Sequence, residues 1–309
     1  MENRKGPAKA TLYIVLIFGI FAVSTSSILI RFALQAGVPA LVVAAYRLAF
    51  ATAILTPLVL RSRRAELLRL TRRDWWAAFF SGVFLALHFA TWISSLSYTT
   101  VTSSVVLVTT GPIWVALVSW LIFREKLTRP IVLGLIIAVL GGVIIGLSDS
   151  TGLGFSGAQL WGDFLALAGA WFVAGYLLIG LQLRRRMSLL VYIYIVYGTA
   201  AILLIGLALL SGASFTQLLG GQPYPARAFL WMLLLAIFPQ LIGHSSYNYA
   251  LRFLPATYVA VVALAEPIGT SLLAFVLLRE IPPPLTITGA IVILIGVGVA
   301  SLPAQRATA

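Results

Sequence analysis

The chain has 309 residues, 61% of them hydrophobic and only 9% charged, with a formal net charge of +13 and no cysteine. A soluble domain carries about 25% charged residues, so this chain cannot cover its surface with polar groups and lipid is its solvent. The missing cysteines exclude disulfides, thiolate chemistry and cysteine-ligated metal; the positive charge sits in short loops between apolar runs, which fits membrane orientation and not nucleic-acid binding.

Ten apolar runs of spanning length, about 20 residues each, follow one another at 11–34, 38–60, 75–97, 101–123, 130–147, 161–181, 188–211, 228–251, 256–278 and 285–302. The first is too long for a signal peptide and lacks a small-residue cleavage site, so it is expected to stay as a spanning helix. The second holds Arg47 well inside its apolar stretch. On the third, Gly82, Ala86, Ala90 and Ser94 recur every four residues as a packing stripe. Successive residues turn about 100°, which puts His88, Trp92 and Ser95 on nearly the opposite side, with Tyr98 just beyond. Pro112 lies on the fourth run, Gly141, Gly142 and Gly146 on the fifth, and Trp171 on the sixth. On the eighth, Gln240, Gly243, His244 and Tyr247 share a face with Asn248 on its edge, just after Pro239. The ninth carries Tyr258 and a mid-run Glu266-Pro267, and the tenth carries Gly289, Gly296 and Gly298. Trp75-Trp76 and Trp161, at run starts, read as interfacial anchors.

The second half of the chain repeats the first. At an offset of 155 residues Arg124-Glu125 returns as Arg279-Glu280, Pro112-Ile113 as Pro267-Ile268, Gly134 as Gly289, Gly141 as Gly296, and Trp92 aligns with Tyr247. The expected organisation is a five-helix repeat over 1–147, a linker over 148–160, a second repeat over 161–302 and a tail over 303–309. With the N-terminus in the cytoplasm, 17 of the 21 basic residues fall on the cytoplasmic side, as membrane orientation favours. Five is odd, so the halves insert upside down relative to each other. The fold expected is an all-α membrane protein of ten transmembrane helices in two inverted repeats, both termini cytoplasmic. One departure breaks the symmetry: Gly111 stands where the second copy has Glu266.

The doubled pattern Gly111-Pro112-Ile113…Arg124-Glu125 and Glu266-Pro267-Ile268…Arg279-Glu280, each followed by a glycine-bearing span, together with the Arg47 span, resembles the drug/metabolite transporter superfamily. Within it the likeness is to the EamA-type ten-helix carriers that include the YddG-type amino-acid exporters. The resemblance implies transport of amino acids, aromatic ones included, and related metabolites, in a bacterial cytoplasmic (inner) membrane.

Inverted duplication by itself points to a secondary transporter with a central cavity. The chain has no phosphate loop, no His-Glu-x-x-His and no Gly-x-Ser-x-Gly, so it is not expected to be an enzyme or to need a cofactor. An intramembrane enzyme and a lipid flippase or channel stay as alternatives. The residues expected to line the cavity are His88, Trp92, Ser95, Tyr98, Trp171, Gln240, His244, Tyr247, Asn248 and Tyr258. Glu266, His88 and His244 are candidates for ion or proton coupling, each with a structural alternative. Arg47, Pro112 and Pro267 are expected to be structural, the prolines because each frees a carbonyl one turn earlier. The partners implied are a small solute and the bilayer, with a monomer expected and a homodimer through Gly142-x-x-x-Gly146 as the alternative.

Overall fold

A computed structural model gives the structure of the protein and describes residues 9–302 apart from 96, 100–103, 105–106, 123, 125–126, 149–156, 218–221, 274, 277–280 and 282. Glu125, Arg279 and Glu280 of the doubled pattern, and most of the expected linker, lie outside the described residues. All the regular elements described are helical, beside one isolated bridge between Gln217 and Pro223.

The first span is two helices, α1 (Lys9–Ser24) and α2 (Ser26–Gln35). Next come α3 (Ala40–Ser62), the short α4 (Arg64–Leu68) and α5 (Arg72–Ser95). The fourth to seventh spans contain α6 (Gly111–Leu121), α7 (Arg129–Ser148), α8 (Gly157–Arg184) and α9 (Leu189–Leu210). The eighth joins α10 (Ala226–Leu235), a π-helical segment (Ala236–His244) and α11 (Ser245–Ala250). The ninth is α12 (Ala256–Ala263) and α13 (Glu266–Leu273), and the tenth is α14 (Pro284–Ala300).

Local chemistry explains where several of these begin. Thr71 and Asp74 cap α5 reciprocally: the Thr71 hydroxyl donates to Asp74 Oδ2 at 2.6 Å and accepts from the Asp74 N–H at 3.2 Å. Ser188 caps α9 by accepting from the Val191 N–H. Pro39, Pro225, Pro255 and Pro283 each stand in extended geometry just before a helix, where a missing N–H loses no helical bond. Among the described residues, seven helical stretches are long and apolar enough to cross a membrane, and three shorter apolar helices, Gly111–Leu121, Arg129–Ile144 and Pro284–Ala300, occupy the remaining runs. Ile17, Phe18, Ile202 and Leu210 are among the most exposed large side chains, as a lipid-facing surface requires.

The packing partners mirror the repeat. α7 packs most extensively against α14, the fifth span against the tenth. α5 packs on α8, and the corresponding contact joins the eighth span to the first; α3 meets α9, and α6 meets α12. At the α7–α14 crossing, a Cβ on Gly134 would stand 2.5 Å from the Gly296 carbonyl, and one on Gly141 2.8 Å from that of Gly289. Residue 134 faces 296 while 141 faces 289, so the two helices run antiparallel. Each pair is also the 155-residue image of the other. Two copies of one helix lying antiparallel across a two-fold are what inverted repeats produce, whereas an axis along the membrane normal would leave them parallel. On this surface a Cβ on Gly142 would meet only Thr109 among the described residues, at an ordinary 3.5 Å, and a Cβ on Gly298 would meet nothing within 4 Å.

Candidate functional site: a central cavity between the two halves

Pro112 and Pro267 do more than bend their spans. Each is the second residue of a helix that restarts in mid-span, α6 at Gly111 and α13 at Glu266, after the turns 109–110 and 264–265. Proline is well tolerated in the first turn of a helix because its absent N–H would have no partner there. The first span breaks at Thr25, and this break meets the one in the ninth. Ser24 Oγ donates to the Glu266 carbonyl at 2.9 Å, and Thr270 Oγ1 donates to the Ser24 carbonyl at 3.0 Å. A side chain on Gly269 would collide with Ser24 there. In the eighth span Pro239 cannot donate, and the surrounding turns widen to the π form, which is frequent at functional positions. Gln240 and His244 are both on that segment.

These breaks surround a cavity of about 380 Å³. Arg47, His88, Phe89, Trp92 and Pro112 reach it from the first half, and His244, Tyr247, Glu266 and Pro267 from the second. It continues past Arg31, Ile281 and Pro283, toward the end of the molecule opposite the arginine-rich loops. In the other direction lies a layer of buried tyrosines. Tyr176 is hydrogen-bonded to Asn248, Tyr192 lies 2.8 Å from Ser81 Oγ, and Tyr197 lies 3.2 Å from Ser245 Oγ. Arg184 Nε donates to the Asn248 carbonyl at 3.0 Å, linking that layer to the arginine-rich end.

Arg47 is 1% exposed. Its Nε donates to Gln240 Oε1 at 2.8 Å and Nη1 to Ser26 Oγ at 3.1 Å, while the guanidinium carbon lies 4.3 Å from the centre of the Phe89 ring. Nη2 has no hydrogen-bond partner among the described residues. Phe89 meets His244 edge-on, with ring centres 5.5 Å apart. Positions 89 and 244 differ by 155, so the pseudo-two-fold axis passes between these rings. Trp92 and Tyr247, another equivalent pair, both line the cavity. His88 Nδ1 is 2.9 Å from the Gly169 carbonyl, so that nitrogen carries the proton and donates, and the imidazole stacks on Trp92 at 5.9 Å. Tyr247 donates to Glu266 Oε1 at 2.8 Å.

Other expected residues are placed elsewhere. Gln240 and Asn248 are wholly buried behind the wall, engaged by Arg47 and Tyr176. Ser95 pairs with Ser104 at 2.6 Å, and Tyr258 pairs with Ser301 at 2.9 Å. Tyr98 is 48% exposed at the end of α5, and Trp171 packs against Trp114 and Phe164 on the outer side of α8. Phe89 and Tyr176, which do line the cavity, were not among the residues expected from the sequence. The repeat offset held the signal for Phe89, since it aligns with His244; nothing comparable marked Tyr176. Among the described residues, no three His, Cys, Asp or Glu side chains come together as a metal site.

A second cavity, of about 410 Å³, lies at the arginine-rich end, between Thr128, Ile131, Arg185, Arg252 and Pro255. Thr128 and Ile131 are the 155-residue counterparts of Pro283 and Thr286 in the first cavity. The second cavity therefore carries counterparts of residues at the mouth of the first, with which it shares no lining residue.

Known proteins match this architecture. An uncharacterized transporter of Archaeoglobus fulgidus is 28% identical over 203 residues, covering 66% of this chain and 68% of its own length. A crystal structure 19% identical in sequence superposes with a TM-score of 0.79 over 98% of this chain and 100% of that one, which establishes a shared fold. The EamA-like transporter family matches residues 10–147 and again 160–302, one match on each half of the repeat. The chain therefore belongs to the EamA-like transporter family and is a multi-pass membrane transporter, not an enzyme.

Proposed function

We propose that the protein is a secondary carrier that moves small amino acids, aromatic ones included, by alternating access through the central cavity. The observation that carries this reading is the cavity's place on the pseudo-two-fold axis, between Phe89 and His244, with a second cavity at the opposite end that holds counterparts of its mouth residues. One central site that two related openings reach in turn is the arrangement alternating access needs. A volume near 380 Å³ is at the small end of the roughly 300–1,000 Å³ usual for small-molecule sites, which favours a compact solute over a lipid. The walls set Phe89, Trp92 and Tyr247 beside two imidazoles, the Arg47 guanidinium and the Glu266 carboxylate, with Arg31 toward the mouth, a surface suited to an aromatic solute that carries both charges. The likeness of the doubled proline and Arg-Glu pattern to YddG-type exporters supports amino acids.

With the arginine-rich end in the cytoplasm of a bacterial cell, the described conformation faces outward. Neither histidine has an acidic partner on its own helix, and among the described residues the only carboxylate lining the cavity comes from one half, so the reading is facilitated or exchange transport. The test is counterflow: purified protein in liposomes preloaded with unlabelled amino acids, with labelled phenylalanine, leucine and alanine outside. Saturable accumulation that follows the internal load is expected. Movement of labelled phospholipid with no solute exchange overturns the proposal in favour of a flippase.

A further inference from the structure

We infer that Arg47 and Glu266 are the two poles of a zwitterion site, Arg47 taking the carboxylate of the ligand and Glu266 its ammonium group. The inference rests on the amino-acid reading above and specifies how the same cavity recognises its solute.

Both residues line the cavity, yet no ion pair joins them within 4.0 Å among the described residues. A buried cation without a counter-ion is costly, several kcal/mol even after relaxation. Arg47 recovers part of that through Gln240, Ser26 and the Phe89 ring, and its Nη2 is left without an acceptor. The Trp92 indole N–H, also on the cavity wall, is buried and unpartnered too. Two unmatched donors beside one opening call for acceptors, and a guanidinium matches a carboxylate in both charge and shape. Glu266 presents the opposite need. Its Oε1 is held by Tyr247, and no cationic side chain lies within ion-pair distance among the described residues.

The frame of the protein does not require either charge. The position equivalent to Glu266 in the first half is Gly111, which also precedes a proline and also opens a restarted helix. The seventh span, which corresponds to the Arg47 span, has no charged residue from Leu189 to Leu210. Each half performs the same packing once without the charge, so the charges answer to something other than packing. One comes from each half, and a ligand holding both ties the halves together across the axis. An amine alone leaves Arg47 unmatched, and a carboxylate alone leaves Glu266 unmatched. A solute carrying both matches Arg47 and Glu266 together while its apolar part lies on Phe89, Trp92 and Tyr247.

The test compares phenylalanine, phenethylamine and 3-phenylpropionate as inhibitors of phenylalanine counterflow by the full chain in liposomes. Each analogue lacks one of the two charges and should inhibit roughly ten- to a hundredfold less well, the range for losing one buried hydrogen bond to a charged group. Arg47→Gln should narrow the gap between phenylalanine and phenethylamine, and Glu266→Gln the gap between phenylalanine and 3-phenylpropionate. The analogue series on the unaltered protein decides the matter even if Arg47→Gln fails to fold. Counterflow in which either analogue competes as well as phenylalanine overturns the zwitterion site and leaves the carrier standing; no amino-acid counterflow at all overturns both.

Discussion

Replacing Gly296 by alanine adds one methyl group at the centre of the α7–α14 crossing. The new carbon would stand 2.5 Å from the Ala138 nitrogen, 2.7 Å from its Cβ and 2.8 Å from its Cα. These are helix atoms and cannot swing aside as a side-chain end would, so the two helices must separate by close to an ångström. Overpacking of that kind costs about 1–3 kcal/mol, against a gain of about 0.8–1.0 kcal/mol for alanine over glycine within a helix. The net effect is destabilisation of up to about 2 kcal/mol, taking the difference of those ranges. Gly298, two residues on, has nothing within 4 Å of its would-be Cβ, so Gly298→Ala gains the helical preference with no clash and should be neutral or stabilising. Gly134→Ala, at the residue that faces Gly296 across the crossing, meets the Gly296 carbonyl at 2.5 Å and should match Gly296→Ala. The measurement is thermal unfolding of the purified variants in detergent, followed by tryptophan fluorescence. Gly296→Ala melting as high as Gly298→Ala would refute the antiparallel glycine crossing, and with it the structural argument for inversion.

Trp92→Ala should weaken phenylalanine several-fold, by the roughly 1 kcal/mol of one aromatic contact, with normal amounts in the membrane; an unchanged apparent affinity would remove Trp92 from the site. Gly269→Ala should lower the yield of folded protein, because the added carbon collides with Ser24 at the junction of two broken spans; folding as well as the parent would show that junction to be loose. Single cysteines at Ser62 and Arg185 should be shielded from an impermeant thiol reagent in intact cells, while those at Gln35 and Gln222 should react, with no native cysteine to confuse the result. The reverse pattern would invert the orientation. An imposed pH gradient should not concentrate phenylalanine in liposomes; concentration that disappears in His88→Gln or His244→Gln would establish proton coupling.

The apolar periodicity, the basic loops and the 155-residue offset determined the architecture without tertiary information, because hydrocarbon allows few ways to satisfy a backbone. A span count and an odd-numbered repeat leave little freedom. The same offset paired Trp92 with Tyr247, and both line the cavity. Helical phase is local, so it could put His88 and Trp92 on one face of α5, but it does not say what covers that face. The covering neighbour is a matter of depth and crossing, and there the sequence ran out. Ser95 and Tyr98 belong to the same helix end as Trp92, yet one is closed off by Ser104 and the other lies at the surface. Tyr258 and Trp171 face neighbours that only packing could supply. The prolines, visible in the sequence as residues that free a carbonyl one turn earlier, stand at helix restarts, and a second break, at Thr25, lies across one of them and is bonded to it. Arg47 shows the division most plainly. Its charge within an apolar run was visible at once, but whether that charge is paired depends on where Gln240, Ser26 and Glu266 lie, and they come from three other spans whose meeting only the folded bundle sets.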